Sequence, residues 1–214
     1  MRKYDAVLFD FDGTIADTNE LIINSWQHLY MARWGHPEEV SKIVSSFGEP
    51  LVVTLGKVLP EWDIDESIQI YRDYQKDIFR DSIQIFPGMG ELIRTIKEMG
   101  YKVGIVTSRV RRTTLVGLEK FGIDDCIDAI VSCDDTDAHK PNPEPALICL
   151  EKLNIPPNRA IMVGDSDYDT GCAHNAGIEA VMVGWAITGD KAHHEGIFRP
   201  DYHIQKPEHL LELL

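Results

Sequence analysis

Hydrophobic and polar positions change their period several times along the chain. Ala6-Val7-Leu8-Phe9 is a short apolar run that predicts a strand, and it breaks at once into Asp10-Phe11-Asp12-Gly13-Thr14. Beyond Thr14 the period is helical. Leu21, Ile22, Trp26, Leu29 and Tyr30 predict one helix ending near Trp34-Gly35. A second is predicted to open at Pro37 with Val40, Ile43, Val44 and Phe47 on one face, before Gly48-Glu49-Pro50 breaks the chain. Leu51 to Val58 and Ile64 to Phe79 read as two more helices, the latter capped by Asp63. No strand signal interrupts this helical block.

From Phe86-Pro87-Gly88 onward helices and strands alternate. Met89, Leu92, Ile93, Ile96 and Met99 form a helical stripe that Gly100 is placed to end. Lys102 to Val106 reads as a strand, followed by Thr107-Ser108-Arg109 and a helix from about Val110 to Phe121. Ile127 to Val131, Ala160 to Val163 and Ala180 to Val183 read as further strands. Helices are expected over Ala146 to Leu153 and up to Ala176-Gly177, and Asp201 to Leu214 as a short strand and closing helix. Such alternation predicts an α/β fold, a parallel sheet with helices on both faces, and ligands in those sheets sit beyond the carboxyl ends of the strands. Asp10 and Asp12, Thr107 and Ser108, Lys140, and Asp165 all follow predicted strands, so four polar clusters are expected in one crevice. The helical block would hang over it as a lid.

Composition narrows the picture. With 43% apolar and 26% charged residues over 214 positions, the chain is long and apolar enough for a real core. A formal charge of −14 speaks against nucleic acid or anionic lipid as partners. An anionic substrate would have to be drawn in by local cations or a metal. The apolar run after Arg2 and Lys3 is too short for a secretory segment and nothing approaches a membrane span. Cys126, Cys133, Cys149 and Cys172 lack Cys-x-x-Cys spacing and read as reduced thiols. The expectation is a cytoplasmic protein, monomeric or a weak homodimer, with a small-molecule substrate.

The chemistry starts at the two carboxylates of the first loop. Spacing of i, i+2 in extended chain sends Asp10 and Asp12 toward the same side, which is costly unless a cation or proton lies between them. Gly13 can take positive φ and leave backbone N–H groups to line an anion-sized hollow. Together with Asp165, these hard oxygen ligands suit Mg²⁺. Asp10 is a candidate nucleophile toward phosphorus. The Thr107 hydroxyl, the backbone around Phe11, Gly13 and Ser108, and the Lys140 ammonium could neutralise a transferring phosphate. Asp12 suits proton transfer to and from the leaving oxygen.

Asp10-Phe11-Asp12-Gly13-Thr14, Thr107-Ser108, Lys140-Pro141 and Gly164-Asp165 with Asp169 resemble, in order, the four motifs of the haloacid dehalogenase-like hydrolases. The resemblance implies a Rossmann-like three-layer core over residues 1–15 and 82–214 and an all-helical cap over 16–81, inserted after the first strand. It also implies Mg²⁺ held by Asp10, the Asp12 backbone carbonyl and Asp165, and an aspartyl-phosphate on Asp10. Asp169 would act through a metal-bound water or by holding Lys140, and a cis Lys140–Pro141 bond is expected. Within the family the chain is most similar to the phosphoglycolate phosphatase and pyrophosphatase branch, as in Thr18 to Ile22, Gly100 to Thr107 and Trp185 to Gly189. The β-phosphoglucomutase branch, the runner-up, usually carries a Glu-Asp pair where this chain has Gly164-Asp165. A non-catalytic phospho-receiver module shares part of the geometry but needs neither Asp12 nor a helical insertion.

Other residues are weaker candidates. Arg109, beside Ser108, is the best placed of Arg109, Arg111 and Arg112 to meet a substrate anion. His28, Arg33, Lys42, Lys57 and Arg72 in the lid read first as exposed charges. Gly48-Glu49-Pro50 could be a rigid lid turn facing the crevice. Asp167 reads as a helix N-cap. His193-His194 lack a third ligand at metal spacing. Trp34, Trp62 and Trp185 read as packing, with Trp185 at the crevice rim.

Overall fold

The computed structural model describes residues 2–188 and 198–214. Six parallel strands form its sheet in the order β5-β4-β1-β6-β7-β8. They are β1 (Ala6–Phe9), β4 (Lys102–Val106), β5 (Ala129–Val131), β6 (Ala160–Gly164), β7 (Glu179–Val183) and β8 (Tyr202–Ile204). Every residue of β1 is buried, because side chains alternate between two covered faces. Val7 and Phe9 join one apolar cluster with α6 (Met89–Glu98) and α7 (Arg111–Phe121). Ala6 and Leu8 join the other, with α8 (Glu144–Leu153) and α9 (Asp167–Asn175). The fold is the three-layer α/β architecture that the alternating pattern predicts.

After the first loop the chain leaves this core. A two-residue strand, β2 (Ala16–Asp17), pairs antiparallel with β3 (Gln84–Ile85), so the outgoing and returning chain run side by side. Between them lie α1 (Asn19–Trp34), α2 (Val40–Val44), α3 (Leu51–Val58), α4 (Ile64–Lys76) and α5 (Phe79–Ser82). This cap has its own apolar cluster of Trp26, Leu29, Tyr30, Ile43, Leu55, Leu59 and Tyr71. Asp63 caps α4 as expected, accepting from the Glu66 N–H at 2.8 Å.

Four local expectations need correction. The second helix starts at Val40, not Pro37, because the Gln27 side chain bonds both the N–H and the carbonyl of Glu38 and pins that segment to α1. It also ends early, at Val44. The Ser45 and Ser46 hydroxyls donate back to the carbonyls of Lys42 and Ile43 there, in competition with the helix ladder. The helix read from Ile64 to Phe79 breaks after Lys76: Tyr71 packs in the cap cluster while Phe79 packs in the core cluster, and one straight helix cannot serve both. Ile127 to Val131 yields a strand only from Ala129, since residues 124–126 form a 3-10 turn. The last segment does give a strand and a 3-10 helix, Pro207–Glu212. His193 and His194 lie outside the described residues, as does Gly189.

The layers press closely at β4. A Cβ on Gly104 would fall 2.6 Å from Cys149 Sγ on α8 and 2.7 Å from Leu8 Cδ2 on β1. Gly104→Ala is therefore expected to cost about 1–3 kcal/mol through overpacking. A urea titration should show it as a lower midpoint with an unchanged slope.

Candidate active site

The sheet delivers the polar residues to one end. Asp10 lies one residue past β1, with its N–H still bonded to Val163 O at 2.9 Å. Thr107 follows β4, Lys140 belongs to the loop between β5 and α8, and Asp165 follows β6. The Lys140–Pro141 bond is cis, as the resemblance implies. Asp10, Thr107, Lys140, Asp165 and Asp169 are all buried.

Asp10, Asp165 and Asp169 each bring a carboxylate oxygen within 4.8 Å of the others. Lys140 stands among them, donating to Asp169 Oδ1 at 2.6 Å and ion-paired with Asp10 Oδ1 at 2.9 Å. Beyond that ammonium the buried Asp10 Oδ1 has no donor among the described residues. Asp169 is fully engaged, its Oδ2 accepting from the N–H and the hydroxyl of Ser166 at 3.1 and 2.6 Å. Ser166 is thus the N-cap of α9, with Asp169 completing a capping box, and Asp167 occupies the first helical position instead of the cap expected of it. Thr188, which sequence reasoning missed, donates to Asp165 Oδ2 at 2.5 Å and also to its main-chain carbonyl. Gly13, at φ +75°, lets the first loop press on this group, since a Cβ there would lie 2.3 Å from Asp165 Oδ2.

Burial pushes the Asp10 carboxyl up to about 7; Lys140 pulls it down, while Asp169 and Asp12 add to the rise. Burial also raises Asp165 well above the usual range, helped by Asp169 and Asp10 and opposed by Thr188 and Lys140. For Lys140 burial opposes the charge, yet Asp10 and Asp169 outweigh it and its pKa rises. A buried group of three carboxylates with a single ammonium has the hard-oxygen character that suits a divalent cation.

Asp12 takes a different partner. Its carboxylate lies outside the cluster and accepts from Arg109 Nε at both oxygens, 3.0 and 2.8 Å away. Arg109 in turn lies over the Phe79 ring at 4.7 Å and reaches Gln75 Oε1 on α4 at 3.4 Å. Among the described residues the N–H groups of Phe11, Asp12 and Ser108 donate no hydrogen bond, and the Ser108 hydroxyl is buried without one. Phe11 contributes through its backbone, its ring being buried and stacked on Phe121.

These groups open into a cavity of about 420 Å³ between core and cap. Of His28, Arg33, Lys42, Lys57 and Arg72, only Arg72 lines it. His28 stacks on Tyr74, Arg33 pairs with Glu66, Lys42 with Glu38 and Lys57 with Glu49. Arg111 is drawn off to Asp135, whereas Arg112 lines the cavity. Gly48 and Glu49 do line it. Glu49 accepts from Tyr168 Oη on α9 at 3.0 Å, joining cap to core. Trp185 stands behind the first loop and not at the rim, its Nε1 donating to Thr14 O at 3.1 Å.

Comparison with known proteins agrees with this architecture. A family model, haloacid dehalogenase-like hydrolase, matches residues 7–183. The chain belongs to this family. Among relatives, it is 35% identical over 212 residues to pyrophosphatase PpaX of Bacillus cereus, covering 99% of this chain and 97% of that protein. It is likewise 35% identical over 216 residues to pyrophosphatase PpaX of Halalkalibacterium halodurans, at 99% and 97% coverage. A haloacid dehalogenase-like family hydrolase from Streptococcus pneumoniae superposes with a TM-score of 0.87 at 26% identity, covering 99% of both chains. No described helix is long and apolar enough to cross a membrane.

The raised carboxyl of Asp10 carries a stability consequence. A carboxyl whose folded value exceeds its ordinary 3.8 keeps a proton in the fold that the unfolded chain has lost. Its stabilising effect is complete below 3.8 and is lost as pH rises toward 7. With EDTA present, unfolding free energy should fall over that window. Asp10→Asn should be more stable than the unsubstituted chain at pH 8, by about 1–2 kcal/mol, with the gap closing toward pH 5. Chemical denaturation at the two pH values checks it.

Proposed function

We propose that this hydrolase is a Mg²⁺-dependent phosphatase acting on a small phosphorylated metabolite of the pyrophosphate or phosphoglycolate kind, through a covalent phosphate on Asp10. The observation that carries the reading is a buried Asp10 carboxylate whose Oδ1 has the Lys140 ammonium as its one partner among the described residues, in a site where the N–H groups of Phe11, Asp12 and Ser108 lack partners. A nucleophile and donors for phosphate oxygens are what phosphoryl transfer asks of a protein. The relatives named pyrophosphatase support the anhydride as one candidate substrate.

Asp10, Asp165 and the main-chain carbonyl of Asp12 would hold the metal, with Asp169 behind them through Lys140. Bound Mg²⁺ would offset the repulsion among the carboxylates and withdraw charge from the phosphate oxygens. Asp10 attacks phosphorus and the bond to the leaving oxygen breaks, while Lys140 and the Thr107 hydroxyl balance the charge on the transferring group. Asp12 gives the leaving oxygen a proton. Water then attacks the phosphate on Asp10, passing a proton to Asp12, and inorganic phosphate departs. Substrate contacts come from Phe11, Thr107, Ser108, Arg109 and Lys140, with residues 16–81 as cap and 1–15 and 82–214 as catalytic core; the Gly13 N–H, expected among the donors, is taken by Ala16 O at 2.9 Å, and Gly13 serves instead by its close approach to Asp165. The mutase alternative is disfavoured by Gly164 itself, which stands where that branch usually carries Glu and which Asp169 packs against too closely to admit a Cβ. All four cysteines are free, which fits a reducing cytoplasm.

Phosphate release from pyrophosphate and from phosphate esters should require Mg²⁺, vanish with EDTA and fall at least about 10³-fold in Asp10→Asn. Substantial turnover by that variant would refute the nucleophile. Asp12→Ala should lose about 10²–10⁴-fold on esters with poor leaving groups and much less on nitrophenyl phosphate, which needs no proton. An equal loss across leaving groups would count against Asp12 as the acid.

A further inference from the structure

Arg109 uses only one edge of its guanidinium on Asp12. Nε alone spans both carboxylate oxygens, so the pair is not the two-pronged fork that a guanidinium usually makes with a carboxylate. Nη1 has only neutral partners at the limit of bonding, Gln75 Oε1 and Thr113 Oγ1, each 3.4 Å away. Nη2 donates to nothing among the described residues. The Arg109 side chain is 7% exposed, so this second edge is an underused cationic surface inside the protein. It belongs to the cavity wall that Arg72, Lys76 and Arg112 also line, and none of those three forms an ion pair among the described residues. Meanwhile Asp12, with both oxygens on Nε, is tethered toward Arg109 and away from the Asp10 cluster.

We infer that Arg109 is a positioning residue that holds Asp12 aside until a second anionic group, on the leaving side of the substrate, takes the free edge of the guanidinium. This rests on the phosphatase reading above and assigns its substrate class: a phosphate compound whose leaving group is itself an anion. The anion draws the guanidinium toward the cap, along the Phe79 face on which it already lies, and Asp12 is released to meet the leaving oxygen. A substrate without that anion fills the phosphate site but leaves Asp12 tethered. Binding energy from the remote group is then spent on turnover, so its absence lowers kcat and not merely affinity.

The test compares phosphoglycolate with ethyl phosphate, which have the same CH₂–O leaving atom and differ in the carboxylate. In Mg²⁺ the unsubstituted enzyme should turn over phosphoglycolate with a kcat at least about tenfold higher. With saturating methyl phosphate, added formate should raise turnover about threefold or more, because the anion acts even when not attached. Arg109→Met should abolish the formate effect, bring the kcat ratio toward one and raise kcat on ethyl phosphate. A preference of the unsubstituted enzyme in KM alone, formate that only competes with the ester, or equal loss on both substrates in Arg109→Met would each overturn the inference. Should Arg109→Met fail to fold, the two experiments on the unsubstituted enzyme decide by themselves. Failure to release phosphate from any ester or from pyrophosphate would instead overturn the phosphatase reading, and this inference with it.

Discussion

The contact on which the rest of the structure depends is Lys140 between Asp10 and Asp169, with Asp165 alongside. Three carboxylates and one ammonium in a buried site repel one another more than they attract, and burial weakens the screening by water. Such a group persists only if each member is fixed from behind by something rigid. The strand ends fix Asp10 and Asp165, the capping box fixes Asp169, and Asp169 fixes Lys140. Thr188 and the close approach of Gly13 complete the enclosure around Asp165. The parallel sheet is what makes this possible, because it delivers three loops to one end without a long excursion by any of them.

The two aspartates of the first loop are chemically unequal for the same reason. Alternation along extended chain puts them on one side, but two residues of separation is enough to give them different neighbours. Asp10 looks into the carboxylate cluster, and Asp12 looks toward the cap and Arg109. A nucleophile must keep an oxygen free toward phosphorus, whereas a proton carrier must move between a resting partner and the leaving oxygen. The buried, strand-anchored position suits the first task and the half-open, singly tethered position the second.

Much of this was legible in the sequence, and the reason is geometric. Apolar runs followed by acid, hydroxyl or lysine mark strand ends, and parallel strands place their ends together. Once the α/β alternation is read, the gathering of Asp10, Thr107, Lys140 and Asp165 follows without any contact being known. Contacts between segments far apart in the chain were not legible. Gln75 on α4 and Phe79 on α5 show only apolar or polar character in sequence, and their meeting with Arg109 depends on how the cap sits on the core. Thr188 carries no local signal at all. The Gln27 side chain that delays α2 and the break between α4 and α5 are likewise tertiary effects overriding a sound local pattern. In sequence Ser166 and Asp167 are equally good N-caps, and only the reach of Asp169 back to Ser166 decides between them.

Besides Leu21 and Phe79, which pack in the core cluster, and Lys120, which donates to Arg80 O, two cap–core ties border the cavity, and this bears on where selectivity resides. One tie runs from Glu49, at the cap turn, to Tyr168 on α9; the other runs from Gln75 and Phe79 to Arg109 before α7. The cap's own apolar cluster shares no residue with the core clusters, so the cap keeps its internal packing whatever its exact seating. Polar ties can be exchanged for ligand contacts at little cost, whereas a continuous apolar interface could not. The first tie is satisfied within the protein, because Glu49 is also bonded by Thr54 and Lys57. The second is not, since Arg109 retains an unused edge facing the cavity. Of the two, only the second has anything to offer a substrate, and it is the one that leads directly to Asp12.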